Sequence, residues 1–327
     1  MKSKMLNRER VEGKVYDYTI EKRTSGPNSK NPGTEYITGN LDVATDDEGL
    51  NIVTVHFTYV TEITSKGNKN NTYTALNNII NNGKTVVVNG MDEATMVRVD
   101  TALALNDFYN REDELVSAKR NEGGFVTIVN KLSDASTRNT FEFDMLINGT
   151  RLVEADPERH IDADYLVVKG AIFDFRNAIL PVELVVKNAG GIKYFESLDA
   201  SPSNLVFTKV WGKIESQTIV DKREEESAFG EASVKEYTRN VREWVITGTS
   251  KPEAMYEIGD EQNGITEDEV KKAMADREVY LADVKKRQEE YQAQRAAANG
   301  GTNENAGNAG VSAQMGGFNF WYYPPYK

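Results

Sequence analysis

Over residues 11–250, Val, Ile, Thr, Tyr and Phe gather in short runs separated by Gly, Asn and Asp. Within many runs apolar and polar positions alternate, which puts successive side chains on opposite faces of a strand. The pattern predicts strands over residues 14–21, 36–43, 51–63, 95–105 and 124–131, and a second set over 140–153, 165–176, 181–187, 206–219 and 242–248. Turn residues fall between them, as in Asp46-Asp47-Glu48-Gly49 and Arg176-Asn177-Ala178. Helical periodicity in this region is confined to two short stretches, 74–81 and 191–198.

The two sets follow one plan. Each opens with a long strand and a polar stretch, continues with a strand carrying Gly-x-Leu/Ile (Gly39-Asn40-Leu41, then Gly170-Ala171-Ile172), and closes after a short helix with two more strands. Three strands, a helix and two strands is the order of the OB-fold, a five-stranded Greek-key barrel. The expected fold is therefore mainly β, with two tandem OB-fold-like five-stranded barrels followed by one long α-helix and a disordered tail. The expected domains are residues 1–130 and 131–250 for the barrels, 251–298 for a linker and the helix, and 299–327 for the tail. One larger sandwich built from the same strands is the alternative.

Thr266-Glu267-Asp268-Glu269 reads as a capping box that opens the long helix. Val270, Met274, Leu281, Val284 and Tyr291 form its apolar stripe, interrupted by Arg277 and Gln288. Docking on a barrel and self-association as a coiled coil are both open to such a stripe. Residues 296–327 carry only two charges, Glu304 and Lys327, in a Gly/Asn-rich composition that predicts a flexible tether. It ends in an aromatic tip of Phe318, Phe320, Trp321, Tyr322, Tyr323 and Tyr326. A partner-binding motif or folding back onto the barrel would each give such a tip something to contact.

Composition narrows the chemistry. The chain of 327 residues has no cysteine and two histidines, His56 and His160, which disfavours thiolate catalysis, Ser-His-Asp triads and His/Cys metal centres. No enzyme activity, cofactor or metal is expected. No apolar run is long enough for a membrane span, and no apolar segment follows the first charges as in a signal peptide, so a cytoplasmic location is expected, the host cytoplasm if the protein is viral. The net charge of −12 is spread along the chain, with −3 over residues 1–130, −5 over 131–250 and −4 over 251–327. A polyanion would need a local positive face on this acidic body. Gly83-Lys84-Thr85 lacks the earlier glycine of a phosphate loop, and the acidic runs at 46–48 and 224–226 lack calcium-loop spacing.

What remains is a recurrence of aromatic and basic residues on strands. Phe207, Lys209, Trp211 and Lys213 share one predicted face, which leaves Trp211 outside the barrel between two lysines. Lys14, Tyr16 and Tyr18 share a face, with Lys22 and Arg23 beyond. Lys169 pairs with Phe173, and Arg242 with Trp244. Val53, Val55, Phe57 and Tyr59 alternate away from His56, which falls on a surface or groove. Lys30 is in the 26–33 loop, where OB-folds clasp oligonucleotides, and Lys66 and Lys69 are in the acid-free 64–71 loop before the short helix, a region that borders the groove. Such pairing suits single strands, whose bases stack on aromatic rings while phosphates meet lysine. Any one such group is more often ordinary packing with solvated charge; the recurrence on both halves is what brings the binding reading level with it.

The stretch 36–55 and the order of barrel core, Gly/Asn-rich linker and terminal tip resemble phage-type single-stranded DNA-binding replication proteins. The resemblance implies a non-catalytic protein that coats single-stranded DNA in replication or recombination and recruits replication or recombination proteins through its tip. The bacterial family ends in an acidic tip with a closing Pro-Phe, whereas this tip is aromatic and free of acid. The rival readings are a structural or assembly protein of a phage particle and a carbohydrate-binding module.

Overall fold

The computed structural model describes residues 5–27, 29–156, 161–225, 233–260 and 264–299. Eleven strands and four α-helices follow in the order β1 (Asn7–Tyr18), β2 (Glu21–Thr24), β3 (Glu35–Ala44), β4 (Ile52–Thr61), α1 (Asn71–Asn82), α2 (Val86–Asn89), β5 (Met96–Tyr109), β6 (Leu115–Ile128), β7 (Asn139–Val153), β8 (Tyr165–Phe173), β9 (Ile179–Val186), α3 (Ala189–Ser197), β10 (Val206–Glu225), β11 (Ser233–Thr249) and α4 (Glu267–Asn299).

The pairings close two rings. In the first, β1 pairs with β3, β3 with β4, β4 with β6, β6 with β5, and β5 again with β1. In the second, β7, β8, β9, β11 and β10 close in the same way, and β10 returns to β7. In each ring only the third and fifth strands run parallel, β4 with β6 and β9 with β11, over one or two residue pairs. This is the partly open Greek-key barrel of the OB-fold, formed twice. Each ring carries its helix between the third and fourth strands, capped by an asparagine: Asn70 accepts the Thr72 N–H and Asn188 the Gly191 N–H. Tyr73, Leu76 and Ile79 of α1, and Phe195 of α3, bury their side chains.

Barrel one and barrel two share a seam. The first half of β1 pairs with β5 on one edge and with β7 on the other, and its second half turns to β3. The sequence pattern placed this strand from residue 14; it begins at Asn7, because Arg8 and Arg10 face outward while Glu9 occupies an inward position that reads as polar. One hydrophobic cluster runs through both barrels, from Val15 and Leu41 to Val210 and Ile246.

The long helix docks on a barrel, the first of the two alternatives. Its residues Val270 and Ala273 cover Leu146, Phe173 and Phe207 on the outside of barrel two. Further along, the two residues that interrupt the apolar stripe carry the docking on barrel one. Arg277 donates to Asp107 at 2.9 Å, and the Gln288 amide both accepts from the Tyr109 N–H and donates to its C=O, at 3.0 and 2.6 Å. Met274, counted in the stripe, is exposed. The capping box forms as expected: Glu269 N–H donates to the Thr266 hydroxyl and the Glu269 carboxylate accepts the Thr266 N–H. Among the described residues no helix is long and apolar enough to cross a membrane. The aromatic tip and His160 lie outside the described residues.

Candidate nucleic-acid interface

At one end of barrel one, β2, β3 and β4 lie side by side in register, with Arg23 opposite Tyr36 and Tyr36 opposite Thr61. Opposite Ile37 and Gly39 stand Val60 and Phe57, so β4 carries one extra residue there, a β-bulge. The bulge reverses the alternation. Val60 turns inward against the core, and Tyr59 turns outward, 44% exposed, against the ring of Tyr36 at 4.5 Å between centroids. Strict alternation put Tyr59 on the face of Val53, Val55 and Phe57; the bulge overturns that. Gly39, on β3 facing the bulge, lets the β1–β2 connection pass close by: its φ is +127°, and a Cβ there would stand 2.4 Å from the Thr19 carbonyl oxygen.

Two cations stand on the neighbouring β2, Arg23 opposite Tyr36 and Lys22 opposite Ile37. Lys22 lies 5.9 Å from the centre of the Tyr73 ring and 3.7 Å from Glu35, and Arg23 pairs with Glu21. The Tyr73 hydroxyl donates to Glu35, which pushes the phenol up to about 12 and holds the carboxyl below its usual range. The loops after β2 and β4 leave the same end of the barrel. Lys30 is exposed on the first, Lys66 and Lys69 on the second. The second loop folds back through the Ile63–Lys69 bridge and a hydrogen bond from Asn70 N–H to Glu62 C=O, 2.8 Å. Five cations, Lys22, Arg23, Lys30, Lys66 and Lys69, thus lie on β2 or on the two loops at this end of the barrel, with Glu21, Glu35 and Glu62 among them.

Other candidates fall elsewhere. A bulge at Tyr16 separates Lys14 from Tyr18: Val15 and Tyr18 both oppose inward residues of β3, and the Tyr18 hydroxyl reaches the Ile80 carbonyl of α1 at 3.4 Å. Lys14, Tyr16 and Tyr18 therefore do not share a face. His56 donates from Nδ1 to the Asn40 side-chain oxygen at 2.7 Å, and burial, with Arg120 nearby, lowers its pKa to about 4. It is a neutral hydrogen-bonding group at neutral pH, not a cation for phosphate. It stands beside Glu122 on β6. Asn51, just before β4, is tied to β10 through the Ile214 C=O and the Ser216 N–H.

In barrel two, Trp211 points outward as the alternation requires, 39% exposed, with its indole lying on Gly248, where a Cβ would meet the ring at 2.4 Å. Lys209 and Lys213 flank it, and Lys213 donates to the Ser136 carbonyl and, at 3.2 Å, to Asn139. Phe207 shares their face but is buried against Tyr256. Phe173 also faces outward beside Lys169, yet it is fully buried, because the chain around α4 covers it. Lys169 pairs with Glu183 at 3.5 Å. Trp244 is not a surface ring: it points into the shared core, and its partner Arg242 alone is exposed. Lys119 of barrel one lies over the Trp244 ring at 4.9 Å. Phe173 and Trp244 therefore serve packing and cannot present a ring to a base, while Tyr18 is half-buried against the core.

The family model YorF matches residues 6–287. No curated protein matches the sequence. Two solved structures of the single-stranded DNA binding protein from Thermus aquaticus are similar to the chain. A deletion mutant is 10% identical, covering 80% of this chain and 100% of that one at a TM-score of 0.44. The wild type is 11% identical, covering 76% and 94% at 0.42.

Proposed function

The chain belongs to the YorF family, and we propose that it binds single-stranded nucleic acid at the β2–β3–β4 end of barrel one, as a DNA-coating protein of phage replication or recombination. The carrying observation is Tyr59, outward and 44% exposed with its ring against the buried Tyr36, at the end of the barrel that also carries Lys22, Arg23 and the lysine-bearing loops. In OB-folds the second and third strands and the loop between the first two are the surface that meets oligonucleotides; here these are β3, β4 and the segment holding β2. An exposed tyrosine offers a face for base stacking, about 1–3 kcal/mol per base, and the lysines supply phosphate contacts. The reading needs no reaction chemistry and no cofactor. The aromatic tip at 318–327 would recruit a replication or recombination protein; deleting it should leave oligonucleotide affinity within about threefold while abolishing that capture.

The test is fluorescence anisotropy of a labelled single strand with wild type, Tyr59→Ala and Tyr59→Trp. Tyr59→Ala should weaken binding about fivefold or more, and Tyr59→Trp should preserve it. Equal affinity for all three would remove Tyr59 and the site built on it.

A further inference from the structure

We propose that the outer face of the sheet crossing the seam is a second contact surface for the same single strand, carrying it from barrel one to barrel two; this rests on the reading above. Because β1 pairs with both β5 and β7, strands β6, β5, β1, β7 and β10 form one unbroken surface. Across it the register runs Phe125 opposite Asp100, Asp100 opposite Arg10, Arg10 opposite Thr140 and Thr140 opposite Lys213. The neighbouring row runs from Arg8 through Glu142 to Trp211. All of these even positions of β1, β5 and β7 point away from the core, which takes Val11, Val99 and Phe141 from the other face.

The two ends of this surface are aromatic and open. Phe125 is 74% exposed on β6, and Trp211 lies on Gly248 of β11. Four strand spacings, about 19 Å, separate β6 from β10. Between them stand guanidinium groups, Arg8 and Arg10, whose side chains are 59% and 45% exposed. Their carboxylate partners, Glu142 at 3.0 Å and Asp100 at 3.5 Å, are exposed too. Such pairs contribute little and exchange readily for a phosphate. With Lys209 and Lys213 beside Trp211, the surface carries four cations; beyond Glu142 and Asp100, its carboxylates include Asp144, buried opposite Lys209, and Glu215, paired with Lys187. Stacking faces at both ends with cations between match a single-stranded polyanion with exposed bases, and a duplex would offer no base face to either ring.

The experiment compares full-length wild type, Phe125→Ala, Trp211→Ala, Trp211→Phe and Tyr59→Ala for binding to short and long oligonucleotides, about 8 and about 30 nucleotides, bracketing a single OB-fold site. Circular dichroism checks folding. Phe125→Ala and Trp211→Ala should weaken the long strand about fivefold or more and leave the short one unchanged, Trp211→Phe should retain long-strand binding, and Tyr59→Ala should weaken both. Unchanged long-strand affinity in Phe125→Ala and Trp211→Ala, with Tyr59→Ala still impaired, would overturn the second surface and leave the barrel-one site standing. A change in oligomeric mass by light scattering in those two variants, with DNA binding intact, would overturn it in favour of a protein interface. Failure of wild type to bind either strand would overturn both readings.

Discussion

Trp244 of β11 donates its indole N–H to Glu9 of β1 at 2.6 Å, joining two residues 235 positions apart across the seam of the barrels. The other Glu9 oxygen accepts the Thr101 hydroxyl at 2.8 Å. The carboxyl is fully enclosed, and burial raises its pKa from 4.5 to about 7 against the lowering effect of its two donors. A carboxyl held above its unfolded value is neutral in both states at low pH, so its contribution is fully present below about 4.5. That contribution is lost as pH rises through about 7, when the folded protein must hold a buried charge.

Glu9→Gln is therefore expected to raise stability at pH 8, by up to about 3 kcal/mol if the amide keeps both contacts. The gain over wild type should shrink toward zero near pH 5. Urea unfolding of both proteins at several pH values gives the difference directly, free of the other carboxylates that titrate the opposite way. A difference independent of pH would mean that Glu9 is ionised throughout.

Arg277→Gln should leave the Asp107 carboxylate without its ion-pair partner, in a site where its side chain is 2% exposed. Removing one member of a buried pair costs about 3–5 kcal/mol, and the Ser117 hydroxyl, which donates to the same carboxylate at 2.5 Å, offsets part of this. Hydrogen exchange should then accelerate at Tyr109, whose N–H is held by Gln288 eleven residues further along the same helix. Protection unchanged at Tyr109 would show that α4 docks independently of that pair.

Gly39→Ala meets a backbone oxygen at 2.4 Å with φ already at +127°. The clash is with backbone of the β1–β2 connection, so a loss of about 2 kcal/mol or more in thermal unfolding is expected. Gly170→Ala meets the Leu146 oxygen at 2.2 Å in the equivalent strand of barrel two and should cost a similar amount. A neutral effect at both would mean that the shared Gly-x-Leu/Ile pattern marks no structural constraint.

Alternation and turn chemistry expose the strands of both barrels, because each inner face is apolar and each outer face is polar. The repeated glycines and the asparagine-capped helices likewise show in the sequence. What alternation misses are events one residue wide. The bulge before Val60 turns Tyr59 outward, and the one at Tyr16 turns Tyr18 inward. A glycine opposite the strand, as at Gly39, is the available signal for the first. Burial of Trp244 and Phe173 depends on remote elements, β1 with Glu9 and the chain around α4, which no local pattern contains. Arg277 and Gln288 look like breaks in an apolar stripe because their partners, Asp107 and Tyr109, sit on a strand distant in sequence.

The most direct measurement of the central claim is the salt dependence of single-strand binding by wild type and by the Lys66→Gln, Lys69→Gln double variant. Each phosphate contact contributes about −0.7 to the slope of log K against log salt for a single strand. Three to five contacts at the β2–β3–β4 end predict a wild-type slope between about −2 and −3.5, and the double variant should be shallower by about 1.4. Binding that does not weaken as salt rises, or a slope identical in the two proteins, would contradict a phosphate-contacting interface at this end of barrel one.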